Sequence, residues 1–420
     1  MNQRNRFCSI LLLSILPLTS IAQSSSKSKN HPYVNPTPGE ITIMASTPIP
    51  HGLQPTREAY EDLVECGFNL GTERNSVEGY KKNFAAIGPL NFRFLISNLD
   101  LLTDKMANII EPLKNNPYVA GWNFKDEPNY KDLRSLQPYY NSIYRLDPTK
   151  LVYMNLIGGI YGDVTGPAKT YKEYLEIIQK MFMPPVWSFD IYPFSMKNGK
   201  LGVSYDSFFN ALESMMAMSK STERPFWSYI QTMAFKRGST ERPAATEAYI
   251  SFAAFSALAY GAQGILYWKY GQRKSNDSET YLSALVNMDG KKTGAWYAAK
   301  KVNSQIKKFN DVFYECTVKE VRHTGSKQYE GTKKLTGSFG PFKSISTGSS
   351  GVLVSRIENN INKYIVIVNH DVQNKQNILF KLDTNRSVID LTDPKGRIPN
   401  SGSSFNKTID KGGFLIFLER

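Results

Sequence analysis

The sequence predicts a (β/α)8 barrel followed by an all-β sandwich, and three observations carry that prediction. Short, β-rich apolar runs alternate with longer helical patterns from about residue 40 to residue 313. The runs number eight. Beyond residue 316 the helical pattern stops, and strand-like runs separated by turn residues continue to the end.

The eight runs are "EITIMAS" (40–46), "FNLGTE" (68–73), "FRFLISNLD" (92–100), "VAGWNF" (119–124), "LVYMNLIGG" (151–159), "WSFDIYPF" (187–194), "FWSYIQTMA" (226–234) and "GILYWKYG" (264–271). Their starts are spaced by 24 to 39 residues, room for one helix each. Helical patterns fill several of the gaps, at 56–66, 130–146, 171–182, 205–220 and 246–261, and another follows at 294–313. Eight such units match a closed barrel in count and length. A doubly wound open sheet would carry fewer units or a glycine-rich phosphate loop after an early strand, and the sequence has no such loop. The trailing runs at 351–358, 363–371, 377–383 and 412–419 read as a sandwich of the size expected for one small all-β module.

The ends of the chain read differently. Residues 1–22 have a basic start (Arg4, Arg6), the apolar run "SILLLSILPL" and small residues Ser20 and Ala22 before a cleavage point, the pattern of a secretory signal peptide. Residues 23–38 are polar and proline-rich and are expected to be a flexible linker. The expected organisation is therefore signal peptide 1–22, linker 23–38, barrel 39–313 and β-module 316–420, in a protein exported to the periplasm or the extracellular space. No other stretch approaches the length of an apolar transmembrane helix, so no integral membrane segment is expected.

Charge and cysteine content narrow the function classes. The formal charge of +14 falls to +12 without the first 22 residues. The lysines and arginines are scattered, so nucleic acid is not an expected partner, because such a footprint needs clustering. Oligomeric state is not legible. Cys66 and Cys316 can pair in an oxidising compartment or remain buried thiols. His31, His51, His323 and His370 are dispersed, and no metal-ligand spacing occurs. No metal or organic cofactor is implied.

In a barrel the chemistry sits at the C-terminal ends of the strands. Those ends offer Glu73 on strand two and Asn98 on strand three. Strand four brings Lys125, Asp126 and Glu127, and strand five Asn155. Asp190 and Tyr192 come from strand six, Gln231 from strand seven and Trp268 from strand eight. The set is acidic, amidic and aromatic. Aromatic faces cover the apolar face of a pyranose, and amides and carboxylates hold its hydroxyls. Cleaving a glycosidic bond needs a proton donor and a group that stabilises an oxocarbenium-like transition state. Glu127 is placed to be the donor, with Lys125, Asp126 and Asp190 able to tune it. Each residue also has an ordinary role open to it: carboxylates at a helix start for Asp126 and Glu127, a loop cap for Asp190, and core aromatics for Tyr192 and Trp268.

"GWNFKDEPN" (121–129) resembles the strand-four motif of clan A glycoside hydrolases, and "FDIYPF" (189–194) and "AYGAQGILYWKYG" (259–271) resemble strands six and eight of β-galactosidase-like barrels in that superfamily. The resemblance spans roughly residues 39–313. It implies that Glu127 is the general acid/base and that Trp268 floors the −1 subsite. One departure stands out. Clan A enzymes carry a nucleophilic glutamate at the end of strand seven, and here the corresponding residue is Gln231, whose amide is no nucleophile. Three outcomes remain open. One is substrate assistance of the N-acetylhexosaminidase or chitinase kind, with Asp126 or Asp190 as the assisting carboxylate. Another is a different carboxylate partner, Asp190 or Glu73. The last is a non-catalytic glycan-binding barrel. A lyase-like polysaccharide enzyme with Tyr192 as base is a further rival. The expected protein is an exported glycoside hydrolase acting on an oligo- or polysaccharide.

Overall fold

The computed structural model describes residues 31–396 and 402–420. The expected signal peptide and residues 23–30 of the expected linker lie outside the described residues.

Eight parallel strands close into a barrel: Thr42–Ser46, Leu70–Arg74, Arg93–Ser97, Val119–Asp126, Leu151–Ile157, Trp187–Asp190, Phe226–Gln231 and Gly264–Trp268, numbered one to eight below. Around the ring the order is one, eight, seven, six, five, four, three, two. Each strand overlaps the run that predicted it, strands two and four running one and two residues past its end. The interior is filled by inward-facing Met44, Leu70, Leu95, Ala120, Leu151, Tyr153, Val186, Trp227, Tyr229 and Leu266, a packed core rather than a channel. Four of the helices outside start on side-chain caps: Thr56, Ser76, Thr170 and Thr246 each accept a hydrogen bond from a backbone N–H in the first turn. Helices Val77–Ile87 and Ala107–Leu113 complete the outer ring and were not singled out in the sequence. The second is short and contains Pro112, which blurs a helical pattern.

Residues 31–38, expected as part of a flexible linker, instead lie against the barrel. The His31 ring stacks on Tyr144 at 3.4 Å, and Tyr33 packs with the residues of the barrel interior. Aromatic rings in a polar segment anchor it, which a reading by proline and serine content overlooks.

The β-module has two antiparallel sheets. One orders Thr317–His323, Val352–Asn359, Asn362–Asn369, Phe414–Glu419 and Val388–Asp390; the other orders Phe342–Ser346, Gln376–Leu382 and Ser404–Ile409. Period-two alternation divides the larger sheet. Val352, Val354, Ile365 and Ile367 face the smaller sheet, while Leu353, Ile357, Val366 and Val368 join the core of the barrel helices. Helix Glu247–Ala259 is apolar nearly all round because it lies between barrel and module, with Ser355 donating to the Ala259 carbonyl at 2.6 Å. Cys66 and Cys316 are both free thiols.

A third sheet is the main departure from the sequence-based expectation. Hairpin Phe194–Lys197/Lys200–Val203, hairpin Ala234–Arg237/Thr240–Arg242 and strand Thr280–Ser283 leave the barrel after strands six, seven and eight. They join into one antiparallel sheet beside the C-terminal mouth.

Candidate active site

The C-terminal mouth opens into a cavity of about 940 Å³. Of the residues read from the sequence, Glu73, Asp126, Glu127, Asn155, Asp190, Tyr192 and Trp268 line it; Asn98, Lys125 and Gln231 do not. Asn98 is held by its own turn, accepting from Asp100 N–H and donating to the Asn75 carbonyl at 2.7 Å. Between Asn123 and Lys125 the register with strand five shifts by a bulge. A bulge re-aims the side chains that follow it, and Asp126 and Glu127 line the cavity while Lys125 does not. Gln231 is buried, with Oε1 lacking a hydrogen-bond partner among the described residues.

The three carboxyls of strands four and six form one wall. Asn155, buried on strand five, donates through Nδ2 to Asp126 at 3.1 Å and to Asp190 at 2.9 Å. Its Oδ1 accepts from Ser188 at 2.9 Å, and Ser188 in turn pairs with the Tyr153 hydroxyl at 2.7 Å. Asn155 is thereby oriented from below and spans both acids. Glu127 adopts φ 40°, in the left-handed region that costs a non-glycine residue strain and that clusters at functional sites. At the end of strand five, Gly158 leaves room for the Asp190 backbone, since a Cβ there would stand 2.3 Å from the Asp190 carbonyl oxygen.

Asp190 and Glu127 are hydrogen-bonded carboxyl to carboxyl. Such a pair holds only when it shares a proton. Burial raises the Asp190 carboxyl well above the usual carboxylate range, and the charges of Glu127 and Asp126 raise it further. Burial also raises Glu127, followed by the charge of Asp126. Asp190 is the better proton holder of the two, and donates to Glu127.

Glu73 stands apart on strand two. Asn83 donates to it at 2.6 Å and Asn75 at 3.3 Å, while burial raises its carboxyl. Trp268 stacks on Tyr192, centroids 5.3 Å apart and planes 29° apart, and meets the edge of Phe235 at 5.2 Å. Burial pushes the Tyr192 phenol well above its ordinary range.

The lining extends beyond the residues selected from the sequence, although Lys269 stands among the strand-end candidates of strand eight. Lys269 and Arg273 follow strand eight, Arg74 ends strand two, and Arg237, Arg242, Glu279 and Tyr281 come from the overlying sheet. Arg237 pairs with Glu279, which also accepts from Tyr281. Arg242 donates to the backbone carbonyls of Tyr192 and Phe194 at 2.6 and 2.7 Å, tying strand six to that sheet. Loop charges carry no periodic signal, whereas Lys269 and Arg74 stand at strand ends, where the strand-end rule reaches them.

With this geometry in view, comparisons add the following. A glycoside hydrolase family 42 model, described as β-galactosidase, matches residues 140–309. That stretch carries strands five to eight with Asn155, Asp190, Tyr192, Gln231 and Trp268, but begins beyond Glu127. No curated protein matches the sequence. Among solved structures the chain is similar to the β-galactosidase of Bacillus circulans sp. alkalophilus, with 9% identity, TM-score 0.60, and 91% of this chain and 99% of that one covered. It is also similar to a catalytic mutant of a family 42 β-galactosidase from G. stearothermophilus, with 10% identity, TM-score 0.57, and 93% and 100% covered. At these identities the structures speak for the shared fold. The family match, in the barrel where it falls, supports a glycoside hydrolase.

Proposed function

We propose that the protein is an exported glycoside hydrolase in which Glu127 is the proton donor, Asp190 its proton-sharing partner and Asp126 the assisting carboxylate. The observation that carries this reading is the hydrogen-bonded Asp190–Glu127 pair beside Asp126 at the mouth of the barrel. A general acid at near-neutral pH needs a carboxyl raised toward the working pH, and burial with a neighbouring negative charge raises Glu127.

The proton that Glu127 and Asp190 share ties these two carboxyls to each other, which disfavours Asp190 as a nucleophile or base facing Glu127 across a sugar. Asp126 is free of that contact and held by Asn155, so it is the group available to steady positive charge at the anomeric carbon or to orient an attacking water or substrate amide. Tyr192 and Trp268 supply the apolar face for the ring. The raised Tyr192 phenol speaks against the lyase alternative, which needs it as a base. Because the matching family model is described as β-galactosidase, β-galactosides are the first substrates to try.

Glu127→Gln tests the reading. With an aryl glycoside that wild type cleaves, hydrolysis is expected to fall by about 10³-fold while sugar binding persists. Undiminished turnover in the variant removes Glu127 from the chemistry. A wild type that binds sugar but releases none of a glycoside panel is a binding protein.

A further inference from the structure

The barrel mouth carries opposite charge on opposite sides. In the ring order, strand eight stands across from strand four. Lys269 directly follows strand eight, only 8% exposed, yet it lines the cavity. Its nearest polar partner is the Thr47 hydroxyl, at a long 3.4 Å. Arg273 and Arg74 line the same cavity. Among the described residues, none of these three cations has a carboxylate within ion-pair distance, whereas Arg237 beside them is matched by Glu279.

A buried ammonium without a counter-charge is expensive. Burial pushes Lys269 down to about 7, and Arg273 and Arg74 push the same way, while Asp126 and Glu279 oppose them. The acids of the cavity do not cancel this excess. Glu279 is spent on Arg237, Asp190 and Glu127 keep one charge between them, Glu73 is held by two amides, and Asp126 is tethered to Asn155 on the far side of the mouth, outside ion-pair distance of the three cations.

We infer that the cavity takes a sugar residue bearing an anionic substituent, with Lys269 and Arg273 as its counter-charges and Arg74 beside them. This rests on the hydrolase reading of the same site and adds the substrate class. The chemistry suits the residues: Arg273 can fork two hydrogen bonds to a carboxylate or sulfate, and Lys269 supplies a compact point charge. The Lys269 ammonium sits 5.6 Å from the centroid of Trp268. The ring platform and the anion partner are therefore adjacent, so one sugar can use both. A uronate carboxylate and a sulfate ester share this chemistry.

The test uses the full chain and matched nitrophenyl β-glycosides: galactoside, galacturonide, and galactoside sulfated at the primary hydroxyl. A charged member is expected to exceed the neutral one in kcat/KM by about tenfold or more, which corresponds to about 1.4 kcal/mol. Arg273→Ala and Lys269→Met are expected to pull that ratio toward one, and the better charged member identifies the source of the anion. If the neutral galactoside is cleaved as well as or better than both, and the substitutions leave the ratio unmoved, the anion site is wrong and the hydrolase reading stands. If nothing is cleaved, the hydrolase reading fails for these sugars, and calorimetric titration with galacturonate, galactose and sulfated galactose decides the anion site by itself. Tighter binding of a charged sugar, lost in Lys269→Met, supports it; equal or absent binding of all three overturns it.

Discussion

On strands four to six the carboxyls at the barrel mouth are tied together through Asn155, Ser188 and Tyr153, whereas across the mouth Lys269 has one long hydrogen bond to Thr47. The first wall is satisfied from within. Its acids are set against one another by burial and contact, and the product is a shared proton. The second wall holds charge that the protein does not match. Internal hydrogen bonding is what fixes a protonation state and a geometry, and its absence is what leaves affinity for a ligand to supply.

The largest effect is expected at the shared proton. Asp190→Asn keeps the shape, and its amide can still donate to Glu127, but the pair can no longer hold an exchangeable proton. The acid pair of the wild type titrates as a unit whose upper step is raised, because the second charge forms beside the first. Removing that step leaves Glu127 with an amide donor that favours its carboxylate. Turnover is expected to fall by about 10²-fold, and the alkaline limb of the pH–rate profile to move to lower pH. Stability moves the other way. Asp190 has a raised carboxyl in the folded state, so its contribution is fully present below the ordinary aspartate range and is lost as pH rises through the folded value. The variant lacks that loss. Its Tm should exceed that of wild type at neutral pH, with the gap closing on acidification; a gap that ignores pH means that folding does not raise the Asp190 carboxyl.

A smaller but broader effect is expected from Asn155→Ala. It strips one donor from Asp126 and from Asp190 and leaves the buried Ser188 hydroxyl with Tyr153 as its remaining partner. Unsatisfied buried groups cost about 1–3 kcal/mol each, partly recovered where water enters from the cavity. Urea unfolding should show a loss of that order, with turnover down about tenfold because both acids lose their common tether. Unchanged turnover alongside lost stability confines Asn155 to the fold and detaches Asp126 from the chemistry.

The contrast between the walls also marks where the sequence is legible. All eight barrel strands could be read because each is an apolar run that must be buried on both faces. The acid wall was visible because Asp126, Glu127 and Asp190 close such runs and Asn155 lies within one. Gln231 obeys the same alternation as Trp227 and Tyr229, which face inward, yet it is absent from the cavity lining; strand position gives a direction, and the neighbouring packing decides access. Asn98 was spent on a local turn, as asparagine at strand ends often is. The basic wall was legible only where Lys269 and Arg74 stand at strand ends; Arg273 comes from a loop, and Arg237 and Arg242 come from hairpins that pair only in the folded chain. Antiparallel pairing such as Glu241 with Met196 joins segments whose link leaves no local trace.

The smallest expected effect lies on that second wall. Thr47→Val removes the hydrogen bond that Lys269 makes to the Thr47 hydroxyl while preserving the shape of the β-branched residue. At 3.4 Å that bond is weak, so unfolding stability should change by no more than about 0.5 kcal/mol, well below the cost at Asn155. Turnover on neutral and charged glycosides should stay within about twofold, since Lys269 is held by its burial beside Trp268 and not by the hydroxyl. A loss matching that of Asn155→Ala reverses the contrast: Lys269 is then anchored from within, like the acids opposite, and the mouth of the barrel has no charge waiting for a ligand.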